Sequence, residues 1–161
     1  MWFLPTIYYE LTCSPMAVSF SAYNFKTKTD KDVHYVFDIV RKKWVVLTPE
    51  EWVRQHVIHF LVHDKGYAAS LLAVERGFDL HGRRKRFDVL VFDNQGNACI
   101  IVECKRPDMA LSEDTMQQVA QYNAVFGAPI LWITNGQQHA VVEYSPDFSS
   151  YNQLQDVPSQ C

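Results

Sequence analysis

Residues 88–105 read DVLVFDNQGNACIIVECK, and they constrain the chain more than any other stretch. Asp88 is a lone carboxylate inside an apolar run of Phe87, Val89, Leu90, Val91 and Phe92. A polar turn, Asn94-Gln95-Gly96-Asn97, follows. A second apolar run from Cys99 to Val102 then ends in Glu103, Cys104 and Lys105. Ionised groups are expensive to desolvate, so they do not sit on strands buried on both faces without a reason. Side chains alternate along a strand, so Glu103 and Lys105 share a face. If the two runs pair as a hairpin, Asp88 comes within reach of both. Two carboxylates converging with one lysine are the minimum equipment for a divalent metal and a nucleophilic water beside a phosphodiester.

The 161 residues, 48% hydrophobic and 20% charged, are enough for one globular domain with a true core. A net charge of −3 gives no global attraction to nucleic acid, so any such contact needs a local basic patch. Cys13, Cys99, Cys104 and Cys161 show no CxxC spacing. The odd separation of Cys99 and Cys104 places them on opposite faces of one strand. Reduced thiols and a cytoplasmic setting are therefore expected, without a zinc site or a disulfide framework. The apolar start, Met1 to Leu4, is interrupted by Pro5 and Glu10 and lacks a basic leader, so neither a signal peptide nor a membrane span is expected.

The pattern divides into an ill-defined extension over 1–15, a small β appendage over 16–47, an α/β core over 48–145 and a loose polar tail over 146–161. Met16 is a candidate alternative start. In the appendage, Ser19–Phe25, His34–Asp38 and Trp44–Leu47 read as strands joined by polar turns at Lys26–Asp32 and Arg41–Lys43. Thr48-Pro49-Glu50-Glu51 starts a helix: Thr48 caps it, proline suits its first position, and two acids favour its positive end. It should run to about Asp64, with Gly66 ending it. Ser70–Leu80, Phe87–Phe92 and Cys99–Lys105 read as three strands. Ser112 opens a second helix that ends at Gly127. Pro129–Thr134 and Gln138–Tyr144 are two more strands. Helix, three strands, helix and two strands predict an α/β fold with a mixed sheet.

Other residues join Asp88, Glu103 and Lys105 as candidates. Glu51 and Arg54 lie on one face of the first helix with Ile58, Leu61 and Val62. Glu51 adds a third carboxylate near the sheet, or else only stabilises the helix start; Arg54 otherwise snorkels. Trp52, His56, His59 and His63 form another stripe, read as a solvated face in preference to a metal site. Glu75, in an apolar strand, is a second-tier ligand or a partner for Arg76 or Arg86. His81-Gly82-Arg83-Arg84-Lys85-Arg86 reads as a hairpin turn carrying four cations, suited to phosphate contact or simply solvated. Arg106, facing away from Lys105, is either a surface cation or a phosphate contact at the rim. Gln118 and Tyr122 are neighbours at i, i+4 on the second helix.

With these residues placed, the chain resembles the PD-(D/E)XK nuclease superfamily. Asp88 followed by Glu103-Cys104-Lys105 matches its D…(D/E)xK signature. Within it, the stretches LTPEEWVRQHVIHFLV, KRFDVLVFD, IIVECKRP, QQVAQYN and ITNGQQH resemble the N-terminal nuclease domain of type I restriction enzyme R subunits, in its short stand-alone form. The likeness spans about residues 20–145 and implies a restriction-endonuclease-like core. It further implies that Asp88, Glu103 and Glu51 ligate Mg²⁺, with Mn²⁺ as a substitute, and that Lys105 orients or activates the attacking water. Gln118 and Tyr122 match a glutamine–tyrosine signature beside the site. DNA is the implied partner, and nuclease domains of this kind often pair as homodimers. Full R subunits carry a helicase-like motor that no stretch here resembles, so helicase or specificity subunits do not follow. Two rivals stand beside the nuclease expectation. One is a non-catalytic module binding nucleic acid or protein. The other is a structural protein in which Asp88, Glu103 and Lys105 form a buried ion-pair network.

Overall fold

The computed structural model describes residues 20–161; the extension over 1–15 lies outside them. Residues 20–25 run without regular structure, so the expected strand at Ser19–Phe25 is absent among the described residues. They serve instead as a cover. Phe20, Tyr23 and Phe25 lie against His56 and His59, with the Phe25 ring 4.7 Å from that of His59. The stripe expected to face solvent is thus divided: His59 is buried and His56 half-buried, while Trp52 and His63 remain exposed.

Three antiparallel strands make the appendage, in the order β1 (Thr27–Asp30), β2 (Val33–Asp38) and β3 (Lys43–Val46). Strand β1 occupies what was expected to be a polar turn. Its side chains are all exposed, so no apolar alternation marks it, and only Thr27 and Thr29 favour a strand. The turn proper is Lys31-Asp32, both at positive φ.

Helix α1 (Pro49–His59) begins as expected. Thr48 Oγ1 accepts from the Glu51 N–H at 3.1 Å, and a π-helical turn, Phe60–Asp64, carries it to Gly66. Strand β4 (Leu72–Val74) follows a short 3₁₀ turn. The long strand expected over Ser70–Leu80 is broken at Glu75, whose φ is +49°. Beyond it β5 (Gly77–Leu80) and β6 (Arg83–Arg86) form a separate hairpin. His81-Gly82, both at positive φ, is a two-residue turn. The four cations are therefore strand residues, not turn residues.

Strands β7 (Val89–Phe92), β8 (Ala98–Cys104), β9 (Ile130–Thr134), β10 (His139–Tyr144) and β11 (Tyr151–Leu154) join β4 in a six-stranded sheet ordered β11-β10-β9-β8-β7-β4. Only β8 and β9 run parallel, bridged by helix α2 (Glu113–Phe126), so the sheet is mixed. Ser112 caps α2 and Gly127, at φ +65°, closes it. One face of the sheet, with Val89, Val91, Ile100, Val102 and Trp132, packs on Val53, Val57 and Ile58 of α1. The other, with Leu90, Ile101, Leu131 and Ile133, packs on Met116 and Val119 of α2.

Two expectations are corrected here. The 146–161 tail is not loose. It supplies β11, buries Val157, and is held by Lys65 to Asp156 at 2.6 Å and Tyr67 to the Pro158 carbonyl at 3.0 Å. Its polar composition hid an edge strand. The thiols also differ from expectation. Val91 pairs with Ile100 but Phe92 with Ala98, so Cys99 is the extra residue of a β-bulge. The bulge breaks the alternation, and Cys99 joins the same apolar cluster as Cys104. Cys99 forms a disulfide with Cys161, their Cα atoms 5.9 Å apart, while Cys104 is free and buried. No described helix is long and apolar enough to cross a membrane.

Candidate active site

Strand pairing brings Asp88 and Glu103 together. Val89 opposes Val102, so the next rung outward sets Asp88 against Glu103 at the sheet end. Glu103, two residues past Ile101 on β8, extends by alternation the face covered by α2, whereas Asp88, just before β7, is reached by Arg54 of α1. Asp88 is fixed at both oxygens. Oδ2 accepts from the Cys104 backbone N–H at 2.7 Å, and Oδ1 from Arg54 Nη2 at 2.8 Å. Lys105 Nζ donates to Glu103 Oε1 at 2.8 Å.

The electrostatics follow from burial. Desolvation and the nearby charge of Asp88 push the Glu103 carboxyl up to about 7, against the opposing pull of Lys105. Burial works against the Lys105 ammonium, but its hydrogen bond and charge contact with Glu103 hold its pKa above the ordinary value. Burial also raises the Cys104 thiol well above its usual range, so this cysteine stays protonated.

Arg54 is the hub of the remaining carboxylates. Its guanidinium pairs with Glu51, with Glu50 at 2.9 Å, with Asp88 and, at 3.5 Å, with Glu75. Burial disfavours that charge, yet Asp88 foremost among its neighbours raises its pKa. A second arginine was not foreseen. Arg41, in the turn between β2 and β3, pairs with Asp38 at 2.7 Å, with Glu75 at 2.5 Å and with Glu51. Gln55 Nε2 donates to both Asp38 and Glu51. Asp38, Arg41 and Gln55 lacked any sequence signal, because the turn holding Arg41 is only one of several basic turns.

The expected residues therefore divide. Asp88, Glu103 and Lys105 converge, and Arg54 joins them as a counter-charge. Glu51 does not stand free as a ligand: Arg41 and Gln55 hold Oε1, and Arg54 holds Oε2. Its neighbour Glu50 is the helix acid whose charge acts on both Glu103 and Lys105, and its side chain is 42% exposed. Glu75 is an ion-pair partner of Arg41, Arg54 and Arg86, the last at 3.0 Å. Gln118 Nε2 donates to Tyr122 Oη at 2.7 Å. The Tyr122 ring meets Phe78 and Lys85 of the basic hairpin, which ties α2 to it. Arg83, Arg84 and Arg86 are exposed and Lys85 half-buried. Arg106 pairs with Asp108 at 2.7 Å on the surface.

Mg²⁺ prefers oxygen donors and commonly uses one or two carboxylates, with waters or phosphate completing its shell. Asp88 and Glu103 suit it. Burial first, and the charge of Asp88 second, raise the Glu103 carboxyl, as expected of a desolvated carboxylate beside another. Among the described residues no group of three or more His, Cys, Asp or Glu is arranged to hold a metal, so the fit rests on those two.

Residues 49–158 match the family described as Type I restriction enzyme R protein N terminus (HSDR_N). The chain belongs to that family. The matched span starts at α1 and includes every strand of the six-stranded sheet, both helices and the basic hairpin of this R-protein N-terminal domain. Its element order is consistent with the PD-(D/E)XK nuclease fold. Among solved structures, one described as a fragment of an HsdR subunit of a type I restriction enzyme from Vibrio vulnificus YJ016 is similar, at 18% identity and a TM-score of 0.49. The likeness covers 70% of this chain and 24% of that one. No curated protein matches the chain.

Proposed function

We propose that this R-protein N-terminal domain is a Mg²⁺-dependent DNA nuclease that hydrolyses phosphodiester bonds. The observation that carries the reading is the convergence of Asp88, Glu103 and Lys105 at the end of the β7–β8 pair, with Lys105 bonded to Glu103 and the charge of Asp88 acting on both. Asp88 and Glu103 hold the metal, which supplies Lewis acidity and charge neutralisation at the phosphate. Lys105 keeps Glu103 in place and offers its ammonium to charge developing on phosphorus oxygens. Arg54 and the Cys104 N–H fix the orientation of Asp88. Gln118 and Tyr122 buttress the hairpin, whose Arg83, Arg84 and Arg86 contact flanking phosphates together with Arg106.

The test is cleavage of linear, nicked and single-stranded DNA by purified protein with Mg²⁺ or Mn²⁺. Activity is expected to vanish in Asp88→Ala and Lys105→Ala. Undiminished cleavage by both variants would remove the assignment.

One observation favours a second reading, a non-catalytic DNA-binding module on the same fold. Both oxygens of Asp88 are already engaged, and Arg54 and Arg41 internally neutralise Glu51 and Glu75. That reading expects metal-independent binding that collapses with salt and with neutralisation of Arg83 to Arg86.

A further inference from the structure

The appendage, residues 27–46, lies outside the family match, and only its inner side, through Asp38 and Arg41, reaches the carboxylate network of the candidate site. Its two faces are chemically different. Val36 and Asp38 point inward and are fully buried. The alternate residues, Tyr35 and Phe37 on β2 and Trp44 and Val46 on β3, share the outer face. Strand pairing sets Tyr35 beside Val46 and Phe37 beside Trp44. Tyr35, Phe37 and Trp44 remain partly open to solvent, and Val46 is 49% exposed. Two lysines lie over these rings. Lys28 Nζ is 4.7 Å from the Trp44 ring centre and 5.5 Å from Tyr35; Lys26 Nζ is 5.4 Å from Phe37 and 5.7 Å from Trp44.

The charge of the segment is equally distinct. Residues 26–47 hold six Lys or Arg and three Asp, a local balance of +3 within a chain of −3. One of the three acids, Asp38, is consumed by Arg41. Aromatic rings on an open sheet face, interleaved with ammonium groups, meet both parts of an unpaired nucleotide. The rings accept the flat face of a base whatever its sequence, and the lysines reach the phosphates on either side. An exposed cation–π contact is weaker than base–aromatic stacking, so the lysines can leave the rings for phosphates when a base arrives. A duplex fits less well, because its bases are already stacked on one another.

We propose that the outer face of the appendage sheet, with Tyr35, Phe37 and Trp44 as stacking rings and Lys26 and Lys28 as phosphate contacts, binds single-stranded nucleic acid. This site is separate from the proposed catalytic residues and needs no metal.

The experiment uses the full chain in EDTA, so that no cleavage intervenes. Binding is read by fluorescence anisotropy with a labelled oligothymidylate, an abasic strand of equal length and a duplex of equal length. The oligothymidylate is expected to bind about tenfold more tightly than the abasic strand, with the duplex weaker than the oligothymidylate. Trp44→Leu and Tyr35→Leu, which keep apolar bulk, are expected to erase that preference. The double variant Lys26→Gln, Lys28→Gln is expected to flatten the salt dependence by about 1.4 in log–log slope. Equal binding of oligothymidylate and abasic strand overturns the proposal, and needs no variant to fold. So does a preference that survives Trp44→Leu in a protein with unchanged circular dichroism. In either case phosphate contact by the β5–β6 hairpin still stands. Absence of any binding removes this proposal and the DNA-binding part of the functional reading together.

Discussion

Arg54 Nη2 donates to Asp88 Oδ1 at 2.8 Å, and the same guanidinium also holds Glu51. A helix residue outside the D…ExK signature thus supplies the counter-charge for its first carboxylate. Arg54 is 3% exposed, so the pair is shielded from water and its loss is costly.

Replacing Arg54 by Met leaves Asp88 without its paired cation and Glu51 with Arg41 and Gln55 alone. The expected cost is about 3–5 kcal/mol, a fall in melting temperature on the order of 10 °C. Urea or thermal unfolding measures it. Adding Asp88→Asn to Arg54→Met should recover part of the loss. If the double variant is no more stable than the single one, Asp88 is not the group that Arg54 neutralises.

Glu51 and Glu103 should respond in opposite ways. Glu51→Gln weakens the charge contacts to Arg41 and Arg54 and is expected to cost about 1–3 kcal/mol, yet to keep any Mg²⁺-induced rise in melting temperature. Glu103→Gln removes a carboxylate already uncomfortable in its setting. It should leave stability near wild type and abolish the rise. A metal response lost only in Glu51→Gln would return Glu51 to the ligand set.

Protons and metal compete for Glu103. Its carboxyl is pushed up to about 7, so below that pH the metal-free site holds a neutral acid and above it a carboxylate. Metal binding requires the carboxylate. Mg²⁺ or Mn²⁺ affinity is therefore expected to climb between about pH 6 and pH 8, by up to tenfold per pH unit below the pKa. Calorimetric titration at several pH values reads it directly. Flat affinity across this range would place the metal elsewhere.

The Cys99–Cys161 link closes a separation of 62 residues and fixes the C-terminal strap beside Tyr67. A disulfide over such a loop stabilises by roughly 2–4 kcal/mol. Melting with and without reductant should differ by several degrees in the wild type and not in Cys161→Ser. Identical wild-type curves would show that the bond contributes nothing in solution.

Local chemistry alone determined much of this protein. Thr48-Pro49-Glu50-Glu51 carries its own cap and first-turn acids, Ser112 and Gly127 bracket α2, and the two apolar runs around Asn94–Asn97 announce the β7–β8 hairpin. Each signal lies within a few residues of the element it specifies, so Asp88, Glu103 and Lys105 could be named together from their spacing. Where polarity stood in for solvent exposure or loops, prediction failed: β1, β6 and β11 are strands written in polar or charged residues. Only the tertiary structure decided which helix acid is buried in a network of two arginines and which stays half open to solvent with Arg54 as its ion-pair partner. Glu50 and Glu51 are adjacent and alike in sequence, but Arg41, ten residues before Glu51, folds over to claim the second of them. Ion pairing depends on where distant charges meet, and a charge carries no pattern along the chain that says which partner will reach it.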